Sequence, residues 1–236
     1  MKTYFIVADV HGFYNEMVSA LKDAGYDKTN PNHIFVSLGD LLDRGPSPMQ
    51  CIEFVLSIPQ ENRILIRGNH EELIRQAINR GKCLYNDYHN GTAMTIAELN
   101  HEFRNMALWD TYYLETKDFA EVGDNVFVHG WIPTYESDWK FTWRKGDWSA
   151  SAWVNGMAKW QEGLYLPDKT IFCGHWHTSW GHHYIDNSSP EWPNPRSTNP
   201  EHQTADFSPF VKEGIVALDA CTALTRKVNV WKLEIE

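Results

Sequence analysis

Short apolar runs recur along this chain, and most of them stop at a polar cluster. Tyr4 to Val7, His33 to Ser37, Arg63 to Ile66, Asn125 to Val128, Thr170 to Cys173, Gly214 to Leu218 and Val228 to Leu233 have the length and the β-branched and aromatic character of buried strands. Between them the apolar spacing turns helical. A helix is expected from Asn15 to Ala24, a second opens at Ser47-Pro48, and a third runs from Glu71-Glu72 through Asn79. At Ser47-Pro48 an N-cap residue precedes a proline at the first helical position. Strands alternating with helices predict an α/β fold. The first five strands run directly into Asp, Asn or His, so their ends should converge on one site.

Two segments break this rhythm. Residues 131–160 carry six of the eleven tryptophans, and residues 182–212 are polar and rich in Pro, Asn and Ser. Both read as insertions near the site within one domain, 1–236, a length that supports one core but not two. The tryptophans are expected to form a small satellite core under a loop, with an aromatic wall that stacks a peptide or a base as the alternative. The second segment reads as a long surface loop in which His182 and His183 have no assigned role.

Charge and cysteine usage narrow the function. A net charge of −10 repels nucleic acid and anionic lipid unless a cation offsets it locally. No apolar run approaches a membrane span, and the stretch before Asp9 is too short for a signal peptide, which predicts a cytoplasmic protein. Cys51, Cys83, Cys173 and Cys221 form no C-x-x-C pair and are expected to be reduced and mostly buried.

The chemistry sits at the strand ends. Asp9-Val10-His11 follows the first strand, Gly39-Asp40-Leu41-Leu42-Asp43-Arg44-Gly45 the second and Gly68-Asn69-His70-Glu71 the third. His129-Gly130 and Gly174-His175-Trp176-His177 end the fourth and fifth. Taken alone, D-x-H is a weak signal that also fits a loop carboxylate beside a surface histidine. Five successive strand ends offering oxygen or imidazole donors, most with a glycine beside them, are not explained that way. The series resembles the metallophosphoesterase superfamily, specifically its phosphoprotein phosphatase branch of the bacterial and bacteriophage type. Asn90-Gly91 with Thr95 is similar to a bacterial variant of that family's N-G-G segment, and Gly214 to Cys221 to its last core strand and turn.

The resemblance implies two central mixed β-sheets packed as a sandwich and flanked by helices, in four α/β/β/α layers. It implies that Asp9 and His11 bind a first divalent metal, that Asp40 bridges, and that Asn69, His129 and His175 complete a second. The superfamily's G-H-x-H makes His177 a candidate ligand of the first metal; its other reading is a residue of the substrate loop or one behind the ligands. Mixed Asp, Asn and His donors suit manganese, iron or zinc, and the resemblance favours manganese. Two carboxylates against two divalent ions leave a cationic patch in an acidic protein, able to draw in a phosphate dianion. The expected reaction is in-line attack by a metal-bridging hydroxide with no phosphoenzyme. His70 is the candidate general acid, with Asp43 accepting a hydrogen bond from its ring. Arg44 is the candidate phosphate clamp, through its planar fork.

The family usually carries a second phosphate-binding arginine between H-G and G-H. Arg144 is the only arginine there, although its flanking residues do not match. Arg67 reads as a structural ion pair. The expected substrate is a phosphorylated protein, at phosphoserine or phosphothreonine, or a small phosphate ester. No regulatory subunit, nucleic acid or membrane is expected as a partner. Polynucleotide-end and nucleotide phosphatases or phosphodiesterases have nearly the same motifs and are opposed only by the negative charge. Symmetrical dinucleoside polyphosphate hydrolases typically read G-D-x-x-A-R-G-P and G-N-H-D, against Asp43 and Glu71 here. An inactive phospho-ligand binding module is opposed by the presence of every expected ligand.

Overall fold

The alternation of side chains in β1 (Lys2–Val7) decides the layering. Successive residues of a strand point to opposite faces, and both faces of β1 are covered. Phe5 and Val7 pack into one apolar cluster, Tyr4 and Ile6 into another. A computed structural model describes residues 1–235. In it β2 (His33–Ser37) and β3 (Arg63–Leu65) continue from β1 in parallel, and β9 (Trp231–Ile235) pairs antiparallel on its other side. The second sheet has the order β4-β5-β6-β8-β7. Its parallel centre is β5 (Asn125–Val128), β6 (Thr170–Cys173) and β8 (Ile215–Ala217), and β4 (Phe119–Val122) and β7 (Phe210–Lys212) are antiparallel edges.

Tyr4, Ile6, Ile34 and Val36 of the first sheet meet Phe127, Phe172, Val216 and Leu218 of the second, forming the core between the sheets. The outer face of the first sheet packs on α1 (Tyr14–Asp23), α2 (Pro48–Ser57), α3 (Asn69–Arg80), α5 (Thr92–His101) and α6 (Phe103–Glu115), through Met17, Ile52, Ile74, Leu99 and Trp109. A short α4 (Tyr85–His89) precedes α5. The outer face of the second sheet, Val126, Val128, Ile171 and Ile215, packs on Trp131, Trp139, Trp143 and Met157. The result is the four-layer α/β/β/α arrangement.

The tryptophan-rich segment therefore differs from its expected role. It is the fourth layer, broken into short helices, because an outer sheet face of that size must be covered. Of its six tryptophans only Trp153, 53% exposed, stands out of this layer. The loop expected over 182–212 is entered from a helix, Ser179–Tyr184, and closes as strand β7. The last strand begins at Trp231, three residues after the expected start. α4, α5, α6 and β4 were not anticipated. The burial of Trp109, Tyr112 and Tyr113 in α6 follows the i, i+3, i+4 spacing that would have revealed that helix. Among the described residues no helix is long and apolar enough to cross a membrane.

Candidate metal centre at the converging strand ends

All six parallel strands end on the same side of the molecule and hand their following residues to one place. Asp9 and His11 follow β1, Asp40 follows β2, Asn69 follows β3, His129 follows β5 and His175 follows β6. The helix α3 starts at Asn69, two residues earlier than expected, which sets Asn69 and His70 in its first turn. Turning a chain sharply at a strand end is costly for residues with a Cβ. Asp9, His11, Asp40, Asp43, Arg44 and His175, six of the nine non-glycine residues with positive φ among the described residues, hold left-handed backbone between 51° and 69°. Such strain persists only where surrounding structure enforces it, and it marks functional sites. Gly174 allows the last of these approaches, since a Cβ there would collide with the Asp9 carboxylate.

The imidazoles are presorted by their hydrogen bonds. His11 Nδ1 donates to the carbonyl of Leu42 at 3.0 Å and His129 Nδ1 to that of Leu38 at 2.8 Å. A carbonyl accepts only from a protonated nitrogen, so each ring turns its Nε2 inward, where it carries either a proton or a lone pair for a cation. Asn69 Oδ1 lies 2.8 Å from His129 Nε2 and 2.9 Å from His175 Nδ1. Asp40 spans the centre: Oδ2 is 3.8 Å from His11 Nε2, and Oδ1 is 3.4 Å from His129 Nε2. Two sets of donors within 4.8 Å result, His11, Asp40 and His70 on one side and Asp40, His129 and His175 on the other. Lone pairs from oxygen and imidazole crowding one another, with Asp40 common to both sets, fit a pair of divalent cations.

The electrostatics point the same way. Burial works against a charged His129, but Asp40, with Asp9 and Glu71 behind it, overrides that and raises the imidazole to about 10. Burial and then Asp219 push Asp9 well above the usual carboxylate range. Burial would raise Asp40 too, yet His129, His70 and His11 hold it well below that range. The carboxylates demand positive charge, and a proton on His129 or a divalent cation answers the same field.

His70 is sorted differently from the other rings. Its Nδ1 donates to a carboxylate, Asp43 Oδ2, at 2.7 Å, and Arg44 spans its Nε2 and that of His11 at 3.1 and 2.9 Å. Glu71, also fully buried, braces the turn beneath them. Its oxygens accept from the amides of Asp40, Leu41 and Gly68 and from the Tyr112 hydroxyl, at 2.8–3.0 Å. Replacing Glu71 by Ala strands three backbone N–H groups in a dry interior at about 1–3 kcal/mol each. The expected loss is about 3 kcal/mol or more, read from the midpoint of chemical denaturation.

Residues 2–179 match the model of the calcineurin-like phosphoesterases. The chain belongs to that family. Over 103 residues it is 34% identical to the asymmetrical bis(5'-nucleosyl)-tetraphosphatase of Anoxybacillus flavithermus, 40% of either chain. Over 73 residues it is 30% identical to serine/threonine-protein phosphatase 1 of Salmonella typhimurium, 31% of this chain and 32% of the other. The matched stretches thus span two fifths or less of these curated relatives. A solved structure of a proposed diadenosine tetraphosphatase shares the fold, with a TM-score of 0.59 at 11% identity over 98% of this chain and 89% of that one.

In this calcineurin-like phosphoesterase two residues expected at the centre are engaged elsewhere. Arg144 forms a two-pronged ion pair with Glu121, at 2.5 and 2.7 Å, and its guanidinium lies over the Trp143 ring. Strand β4 carries Glu121 to the fourth layer, so Arg144 is held there and is not brought to the donors. His177 Nδ1 meets Ser179 Oγ at 2.9 Å, its Nε2 lies 3.6 Å from Glu191, and its ring packs against Trp192. These partners tie it to the 182–212 segment. Arg67 pairs with Asp118 at 3.4 Å. Asp219 was missed as a site residue. It is buried directly after β8, burial pushes it up to about 6, and it acts on Asp9. Its signal was a sixth strand ending in a carboxylate.

Proposed function

We propose that this family member is a metal-dependent phosphomonoesterase in which His70 protonates the leaving group. The observation that carries the reading is the pair of donor sets sharing Asp40 beside a buried His–Asp pair. Asp9 and His11 would hold one cation, Asn69, His129 and His175 the other, with Asp40 between them; manganese is preferred, and iron or zinc also suits these donors. When bound, the two ions supply Lewis acidity toward phosphate oxygens and acidify a water.

The remaining roles belong to the chain. Asp43 fixes the tautomer and plane of His70, so that the proton donated to an ester oxygen comes from Nε2. Burial alone would lower the His70 pKa, but Asp40 and Asp43 outweigh it and keep the ring a proton carrier. Arg44, whose two terminal nitrogens lie against His11 Nε2 and His70 Nε2, would turn that fork from the rings to two phosphate oxygens when substrate binds. The carbonyls of Leu38 and Leu42 hold Nδ1–H of His129 and His11, so that Nε2 of each ring is the nitrogen turned to the centre.

Phosphoserine or phosphothreonine is the first choice of substrate, since Asp43 and Glu71 follow the protein phosphatase pattern. A dinucleoside polyphosphate is the second reading. Its support is the relative from Anoxybacillus flavithermus and a cleft of about 420 Å³ that borders Asn69 and His129 and is walled by Trp148 and Trp153. The half-exposed Trp153 indole beside the candidate centre offers a base a stacking surface. The deciding experiment is a panel on manganese-supplied protein comparing phosphopeptides, dinucleoside polyphosphates, cyclic nucleotides, phosphate-ended oligonucleotides and p-nitrophenyl phosphate. The highest kcat/KM is expected on phosphopeptides. Turnover of none of them, in metal-saturated folded protein, would leave a binding module.

A further inference from the structure

The Asp43 carboxylate has more partners than a link to His70 requires. Oδ2 accepts from His70 Nδ1 at 2.7 Å and from Thr92 Oγ1 at 2.6 Å, and Oδ1 accepts from Thr95 Oγ1 at 2.6 Å. All four residues are buried to 2% exposure or less. Thr92 and Thr95 lie three apart in the first turn of α5 and share one face of it. A helical threonine ordinarily turns its hydroxyl back to a carbonyl of its own helix. Here both hydroxyls leave the helix and end on the same carboxylate.

The helix start is shaped for this contact. Gly91, at φ 83°, caps α5, and a Cβ there would run into the amide of Arg44. The end of α5 therefore backs directly onto the Asp43–Arg44 turn, whose residues hold left-handed backbone at 69° and 62°. The positive end of the helix faces a negative group. Three donors leave the carboxylate no free rotation, and each hydrogen bond to an ionised acceptor is of the strong, short kind.

The geometry points to Thr92 and Thr95 as positioning residues that lock Asp43 and thereby aim the Nε2 of His70 at the leaving oxygen. This rests on the reading of His70 as proton donor. Neither threonine touches substrate; both act through Asp43. Loss of one hydroxyl frees the carboxylate to turn, and proton delivery suffers while phosphate binding does not.

The test compares two esters with different leaving groups on manganese-supplied protein. Thr92→Val and Thr95→Val replace a hydroxyl by a methyl of nearly equal size. Each is expected to lower kcat on phenyl phosphate about tenfold, with KM little changed. On p-nitrophenyl phosphate, whose leaving group needs little protonation, the loss is expected to be about threefold or less. Thr95→Ser should restore both. In a His70→Asn background Thr95→Val should add no further loss, the signature of residues acting as one unit. In metal-free protein the His70 Nδ1 proton resonance should move upfield in the Val variants.

Equal losses on both esters, or a further loss in the His70→Asn background, would assign the threonines to structure alone. Should a Val variant not fold, Thr95→Ala and Thr95→Ser carry the comparison, and Ala must show the leaving-group-dependent loss that Ser lacks. If the wild type hydrolyses neither ester, the His70 reading fails and takes the threonine role with it. If the wild type hydrolyses both and every variant matches it, only the threonine role falls.

Discussion

Asp40→Asn is expected to release both cations and to lower turnover of p-nitrophenyl phosphate by about a thousandfold. Asp40 is the residue common to both donor sets, with Oδ2 toward His11 and Oδ1 toward His129. Changing a group that merely supports a metal ligand typically costs about 10–100-fold, and a carboxylate shared by two sites should exceed that. The substitution isolates charge from shape. Asp40 Oδ1 also accepts from the His70 amide at 2.9 Å, and an asparagine oxygen can keep that bond. The fold should therefore survive, and circular dichroism and the thermal midpoint should stay near wild type. Metal content after gel filtration and kcat at saturating manganese are the readouts. A variant that retains two equivalents of metal and loses less than about tenfold in kcat would remove Asp40 from the centre.

His70→Asn should produce the second largest effect, and its size should depend on what departs. On phenyl phosphate the loss is expected to be about 10²–10³-fold, in the range that general acid catalysis contributes. On p-nitrophenyl phosphate the loss should be about tenfold or less, because nitrophenolate leaves without a proton. Asp43→Asn should follow the same direction with smaller losses, since the ring persists but its orientation relaxes. A series of aryl phosphates of graded leaving-group pKa gives a slope, and that slope should steepen in both variants. An unchanged slope would mean that His70 serves binding or metal retention, as its place beside His11 and Asp40 also permits.

Much of the centre was legible because its residues are local to their elements. A strand followed by Asp-x-His, Gly-Asp, Gly-Asn-His or Gly-His places a donor at a strand end by spacing alone, and parallel strands bring those ends to one side. That reasoning puts Asp9, His11, Asp40, Asn69, His129 and His175 at strand ends, where the structure has them, and it extends unchanged to Asp219 after β8, where it was not applied.

What the spacing does not contain is the partner across the fold. His129 and His70 are both imidazoles beside glycine-flanked motifs. One donates to the carbonyl of Leu38, 91 residues away, and the other to the carboxylate of Asp43, 27 residues away. On the proposed reading, that difference separates a ring that would hold a metal from one that would move a proton. Arg144 lies in the right interval of the chain, yet the pairing of β4 with β5 brings Glu121 within reach and keeps it there. Thr92 carried no chemical signal, and Thr95 only its place beside Asn90-Gly91, until α5 docked on the Asp43 turn. Local pattern determines where a side chain sits on its own element; layer packing determines what it meets, because those partners are brought together only when the two sheets and their helical covers close on one another.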